Sequence, residues 1–262
     1  MLTATRSLDG AKVVAAYVDE ASGPFLCTRC EQPLILNQGR IRVHHFRHPP
    51  QVACAHGQGE SLEHLHCKME IFDALARHEF ASDVELEKHM GTVIADVFAH
   101  IHGQPVAVEI QRSVLSVTEI RQRTQVYTDL GINVLWIAIF PNSPTDTHHS
   151  PRACERWLHA AYLGRVYYWV NGLSLRPVHF DDLRLPVDGR TWFDPGGAQR
   201  TSPAYARPSQ RYRTPSAGPL VDLVRDFRPR LLGPFAGGTV DVPQRRLFLD
   251  RRPRWWPALR PE

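Results

Sequence analysis

Two apolar, strand-like segments joined by a three-residue turn constrain this chain more than any other feature. Residues 92–101 and 105–111 carry Val93, Ile94, Val97, Phe98, Val106, Val108 and Ile110, and His102, Gly103 and Gln104 separate them. Pro105 suits the first position of a strand and would be awkward inside one. Strands this apolar are buried, so the charges within them, Asp96 and Glu109, need a physical reason. Side chains alternate along a strand, so Glu109 and Gln111 share a face, and pairing the segments brings Asp96 beside Glu109. Two carboxylates in an apolar sheet are costly to ionise unless a cation lies between them. Mg²⁺ or Mn²⁺ meets that need, because such ions take oxygen ligands, keep several waters and contact phosphate. A bound ion of this kind polarises a phosphoryl oxygen and lowers the pKa of an attacking water.

The flanking segments supply a frame for that pair. Residues 60–79 place Leu62, Leu65, Met69, Phe72, Leu75 and Ala76 at helical spacing. Residues 83–88 read as a strand. Ser116 and Glu119 form a capping-box pattern that opens a second helix, which Gly131 closes. Residues 132–140 then read as a buried strand. The core order is helix, three strands, helix, strand, a mixed α/β arrangement. A third helix is expected over 152–163, and Asn171-Gly172 predicts a hairpin between 166–170 and 173–180. Upstream, residues 12–18 alternate as a strand and Gly23-Pro24 marks a turn.

Charge and composition divide the chain further. From Pro195 onward thirteen arginines face five acidic residues, and eleven of the 21 prolines lie there. This tail carries +8 while the preceding body carries −4. Its composition predicts disorder, and its charge suits a polyanion. Trp255 and Trp256 among those arginines fit either base stacking or a docking patch for a partner. The expected divisions are 1–58, a strand segment with a Cys/His module; 59–185, the α/β domain; and 186–262, the basic tail. No apolar run is long enough to cross a membrane, and MLTATRSLDG lacks the features of a secretory leader, so a cytoplasmic chain is expected.

The Cys/His module starts with Cys27-x-x-Cys30. Fourteen residues separate it from His45-x-x-His48, and Cys54 follows. Two thiols and two imidazoles can build a tetrahedral Zn²⁺ site, and thiolates favour zinc over magnesium. Cys27, Cys30, His45 and His48 are the first choice, with Cys54, His44 and His56 as substitutes. Free thiols or a redox pair are the plainer readings. Such a closed site would be structural.

On the first helix Glu60, His64 and Lys68 recur at four-residue intervals, so they share a face. Glu60 can complete a metal shell, while His64 and Lys68 can reach phosphate. Arg112, Arg123 and Tyr127 can contact a nucleic acid from the following segments.

One ordered set of motifs runs through these residues: Glu60-Ser61-x-x-His64-x-x-x-Lys68, Ala95-Asp96-Val97, Glu109-x-Gln111-x-Ser113, Arg123-Thr124-x-x-Tyr127 and Gly131-x-x-Val134-x-Trp136. Over residues 25–140 this set resembles the competence protein CoiA family, including its CxxC and HFxH elements. The resemblance implies a PD-(D/E)XK nuclease-like domain in which Asp96, Glu109 and Gln111 fill the D and E-x-K positions. It also implies DNA as the substrate, a role in processing DNA taken up during transformation, and recombination or DNA-uptake proteins as partners. Gln111 stands where the wider superfamily has lysine, and glutamine can hold a water but supplies no positive charge.

Two other functions fit part of the sequence. A DNA-binding protein that kept the fold without catalysis would explain Gln111. An HNH-like nuclease centred on His44 and His45 would explain the histidines but neither Asp96 nor Glu109.

Overall fold

A computed structural model of the chain describes residues 1–39, 42–54, 56–57, 60–112, 115–139, 148–237 and 240–257. It is a mixed α/β protein made mostly of sheet. The first five strands, β1 (Thr3–Arg6), β2 (Lys12–Val14), β3 (Phe25–Leu26), β4 (Pro33–Asn37) and β5 (His45–Arg47), form an antiparallel sheet in the order β2-β1-β3-β4-β5. The strand expected over 12–18 stops at Val14, where a short 3-10 turn begins. Ala4, Val13, Phe25, Leu34, Leu36 and Phe46 make a small core that also takes in Cys27 and Cys54.

The larger unit follows the expected order. Helix α1 (Leu62–Ala76) leads to β6 (Ala81–Met90), β7 (Val93–Ile101) and β8 (Gln104–Gln111), then to α2 (Val117–Asp129) and β9 (Asn133–Ala138). Ser61 caps α1 by accepting the His64 N–H, and Ser116 with Glu119 forms the reciprocal capping box of α2. Gly131, at φ +74°, turns the chain out of α2 as expected. The connection β8-α2-β9 makes a parallel pair that aligns Glu109 with Trp136. Phe140, the expected end of β9, lies outside the described residues.

Helix α3 (Ala153–Ala161) precedes β10 (Val166–Asn171) and β11 (Ser174–Val187), which form the expected hairpin, with its turn one residue later than expected, at Gly172-Leu173, because Asn171 pairs with Ser174. The rest of the chain corrects the expectation of a disordered tail. It forms β12 (Arg190–Phe193), β13 (Gln199–Ser202), β14 (Tyr205–Ala217), β15 (Val221–Asp222), β16 (Phe227–Leu232), β17 (Phe235–Gly237), β18 (Val240–Val242) and β19 (Arg245–Asp250). The central sheet runs β14-β11-β10-β9-β8-β7-β6, and β19 joins it by pairing with β9 at Val134 and with β16.

Counting prolines and arginines misses why these residues fold. Short apolar runs between them bury Val221, Leu223, Val224, Phe227, Leu247, Phe248 and Leu249 in the main core. The tail's charges gain partners too: Asp250 pairs with Arg165 at 3.1 Å, and the buried Arg245 donates to the carbonyls of Ala161, Gly233 and Pro243. Trp255 and Trp256 are not a free docking patch. Trp256 is buried and stacks on His179 with ring centres 4.1 Å apart, and Trp255 donates to the Ser216 carbonyl. Among the described residues no helix is long and apolar enough to cross a membrane.

Each of those seven buried side chains contributes roughly 1.5–3 kcal/mol. Their sum rivals the ~5–15 kcal/mol that keeps a whole domain folded. A chain ended after Gly218 should therefore lose its cooperative thermal transition. A melting temperature within a few degrees of the full chain would show that the last strands are dispensable.

Candidate functional site

The site starts where two strands part. Strands β7 and β8 pair from Ile101–Gln104 to Val97–Val108. The next residues are Asp96 and Glu109, and there the ladder gives way to a side chain. Asp96 Oδ2 accepts the Ile110 N–H at 2.9 Å, satisfying a donor the splayed strand would otherwise leave unpaired.

Helix α1 and the residues leading into it lay three groups over this point. His64 Nε2 lies 3.2 Å from Asp96 Oδ2, and Lys68 Nζ lies 3.3 Å from Asp96 Oδ1. Lys68 also donates to Glu60 Oε1 at 2.5 Å and to Glu87 Oε1 at 2.8 Å. Glu60 sits just ahead of the helix, and its Oε2 meets the Met1 amino group at 2.7 Å. Burial disfavours every charge here, but the partners outweigh it. Asp96 is held well below the usual carboxylate range by His64, Lys68 and the Ile110 N–H. Glu60 and Glu87 are lowered chiefly by Lys68, which is itself raised by its three carboxylates. Lys68 is fully buried, so it braces the acids and does not reach out to a surface ligand.

Glu87 is the residue that sequence reasoning missed. Alternation along β6 puts Glu85 and Glu87 together on the solvent side. Glu87 instead has φ +47°, which rotates it inward opposite Asp96, between the Leu86–Val97 and Lys88–Ala95 pairs. A left-handed non-glycine residue costs roughly 1–2 kcal/mol. The carboxylate recovers that through hydrogen bonds from Leu2 N, Thr3 N, Thr3 Oγ1 and Lys68 Nζ. Glu87 thereby joins β1 of the N-terminal sheet to the floor of the site.

Glu109 keeps different company. It accepts from Arg123 Nη2 at 2.5 Å and from the Tyr127 hydroxyl, and Arg123 donates also to the Ile94 carbonyl. Burial and the nearby Asp96 charge push the Glu109 carboxyl up against the opposing pull of Arg123. The metal pair expected from the sequence, Asp96 with Glu109, is thus divided. Ligand atoms of Glu60, His64 and Asp96 lie within 4.8 Å of one another, and Glu109 is outside that group. Arg123 and Tyr127, expected to touch a nucleic acid, hold Glu109. Gln111 is buried on the same strand face as Glu109. Arg112 is half-buried and ion-paired with Glu63 at 2.5 Å, and Ser113 lies outside the described residues.

A second cluster sits in the N-terminal sheet. Cys27 follows β3 and opens a tight knuckle: its carbonyl accepts the Glu31 N–H, its N–H donates to the Gln32 carbonyl, and its Sγ accepts the Arg29 N–H. Cys30 Sγ lies 3.3 Å from His48 Nε2, and Cys54 completes a set whose ligand atoms all lie within 4.8 Å of one another. Donors on a tetrahedral zinc stand about 3.5–4 Å apart. Three thiols and an imidazole therefore fit Zn²⁺, and burial raises the Cys27 thiol to about 11, a cost that a cation would offset. His45 is corrected out of this set. It lies within β5, with Nδ1 on the Val43 carbonyl and Nε2 on Asn37. Alternation turns it away from His48, and Cys54 takes its place. His44 and His56 also stand outside the cluster.

The family model of the competence protein CoiA nuclease-like domain matches residues 60–152, and that of the competence protein CoiA N-terminal domain matches residues 11–57. The chain belongs to the competence protein CoiA family. In this CoiA-family chain the N-terminal match carries the thiol cluster, and the nuclease-like match carries Glu60, His64, Lys68, Glu87 and Asp96. No curated protein and no solved structure matches the chain. Replacing Cys54 with alanine should remove about one zinc per chain and destabilise the N-terminal sheet, while His45→Ala keeps its zinc. Metal analysis of both variants checks this, and zinc loss confined to His45→Ala would overturn the ligand set.

Proposed function

We propose that this chain is a metal-dependent nuclease that hydrolyses phosphodiester bonds in DNA on a PD-(D/E)XK-type core. The observation that carries the reading is the meeting of Glu60, His64 and Asp96 at the point where β7 and β8 part. The order α1-β6-β7-β8-α2-β9 and the family's nuclease-like domain support it.

A divalent ion held by these three residues would supply Lewis acidity toward phosphate and a water of lowered pKa. The donor set refines which ion. Mg²⁺ prefers oxygen ligands, whereas an imidazole suits Mn²⁺ and later transition metals better. Glu60 and Asp96 contribute charged oxygens and His64 a ring nitrogen. Lys68 supplies positive charge from the helix, but it spends that charge on Glu60, Glu87 and Asp96, so it balances the acids and does not stand in for the motif lysine toward phosphate. Gln111 can orient a water through its amide. Arg123, with one guanidinium edge on Glu109, can turn toward a phosphate when substrate arrives. In the cell the natural setting is the processing of DNA taken up during transformation, alongside recombination or DNA-uptake proteins.

A second reading has one observation in its favour. Glu109 is neutralised by Arg123 and Tyr127, an arrangement that suits a fold retained for DNA binding alone. An HNH-like centre at His44 and His45 has no such support, because His45 is engaged by Val43 and Asn37.

Cleavage of a labelled DNA in Mn²⁺ and in Mg²⁺ separates these readings. The wild type should cut faster in Mn²⁺. Asp96→Asn and Glu60→Gln should each slow it by about 100-fold or more, or ~2.7 kcal/mol of transition-state stabilisation. Salt-dependent DNA binding without cutting in either metal would leave the binding-only reading standing.

A further inference from the structure

Beyond Phe180 the strand β11 runs past the body of the sheet, and β14 runs back beside it. Arg184–Val187 pair with Tyr205–Pro208, and the ribbon continues as the hairpin β12–β13. This arm lies beyond both family matches, at the sheet edge opposite β6.

The arm is built, not frayed. At Gly189 the chain crosses itself so closely that a Cβ would lie 2.9 Å from the Ser202 carbonyl oxygen and 3.1 Å from Ala204 N. Only glycine allows that crossing. The hairpin tip is held by Asp194, which accepts the Gly196 and Ala198 N–H groups and pairs with Arg200.

In the crook between the two ribbons lies a cleft of about 680 Å³, lined by Val187, Asp188, Arg190, Trp192, Tyr205 and Arg207 among others. Clefts of ~300–1,000 Å³ are the usual size for ligand sites. Strand alternation puts Arg190 and Trp192 on one face of β12, while the pairing of Val187 with Tyr205 puts that ring on the facing ribbon. Trp192 and Tyr205 are 49% and 55% exposed, so neither ring is spent on the core. Among the described residues Arg190 and Arg207 form no ion pair, and Asp188 is the only acid lining the cleft. Between residues 184 and 211 five arginines face two aspartates.

We infer that this cleft binds single-stranded nucleic acid, with bases stacked on Trp192 and Tyr205 and phosphates held by Arg190 and Arg207. Flat rings accept any unpaired base, and a duplex keeps its bases stacked on one another where these rings cannot reach them. Guanidinium groups hold phosphate with paired N–H donors. An acidic peptide would use the arginines and leave the aromatic rings idle. The inference does not depend on the nuclease reading, because the arm contains none of the carboxylates around Asp96.

The test uses the full chain in EDTA, so that binding is read without cleavage. Anisotropy of a labelled oligothymidylate and of a duplex of equal length is measured against salt. Trp192→Ala with Tyr205→Ala should weaken single-strand binding by about tenfold per ring. Arg190→Ala with Arg207→Ala should lower the salt slope by about 1.4. Trp192→Phe, which keeps a stacking face, should retain most of the affinity. Unchanged single-strand binding in both double variants would overturn the inference, as would a polyglutamate competitor that displaces the strand from the wild type as well as unlabelled oligothymidylate does. A chain that binds through the arm yet never cuts would keep this inference and lose the nuclease reading. A chain that cuts while its arm variants bind normally would do the reverse.

Discussion

The buried ammonium of Lys68 is the contact on which the rest of the site depends. It sits among Glu60, Glu87 and Asp96, and each of those acids belongs to a different part of the chain. Glu60 comes from the entry to α1, Glu87 from β6 and Asp96 from β7. Without the lysine, three carboxylates would crowd into a space from which water is largely excluded. Removing one member of a buried ion pair costs ~3–5 kcal/mol, because the survivor keeps its desolvation penalty without compensation. The same network reaches the N-terminal sheet, since Glu87 also takes the N–H groups of Leu2 and Thr3. Glu87 therefore ties the Asp96 site to the N-terminal sheet that carries the thiol cluster.

That network explains why the two acids in the apolar strands have separate partners. Asp96 faces α1 and shares its space with Glu60 and His64. Glu109, next to it across the parted strands, faces α2 and is held by Arg123 and Tyr127. A carboxylate held by an arginine is charge-balanced without a metal. The division places a cluster that could hold a metal ion on one side of the strand opening and a guanidinium on the other.

How much of this was legible in the sequence follows from which contacts are local. The element order, the capping box at Ser116, the stop at Gly131 and the hairpin around Gly172 depend on neighbouring residues, and all appear, the hairpin turn shifted by one residue. Asp96, His64 and Lys68 stood out because charge in an apolar strand and four-residue spacing on a helix are local patterns as well. Glu87 did not, because a single left-handed residue inverts the alternation that sequence reading assumes. The exchange of His45 for Cys54 turns on which face of a three-residue strand each ring occupies, and spacing alone does not encode that. In the last seventy residues, composition obscured short apolar runs whose partners are distant in sequence, Val221 on Leu175 of β11 and Leu247 on Val134 of β9.

The claim that organises these observations is that Glu60, His64 and Asp96 form a metal centre with a nitrogen ligand. Pulsed electron paramagnetic resonance of the zinc-replete chain loaded with Mn²⁺ tests it directly. The account predicts nitrogen hyperfine coupling from one imidazole, lost in His64→Gln. Absence of nitrogen coupling in the wild type, or coupling that persists unchanged in His64→Gln, would contradict it.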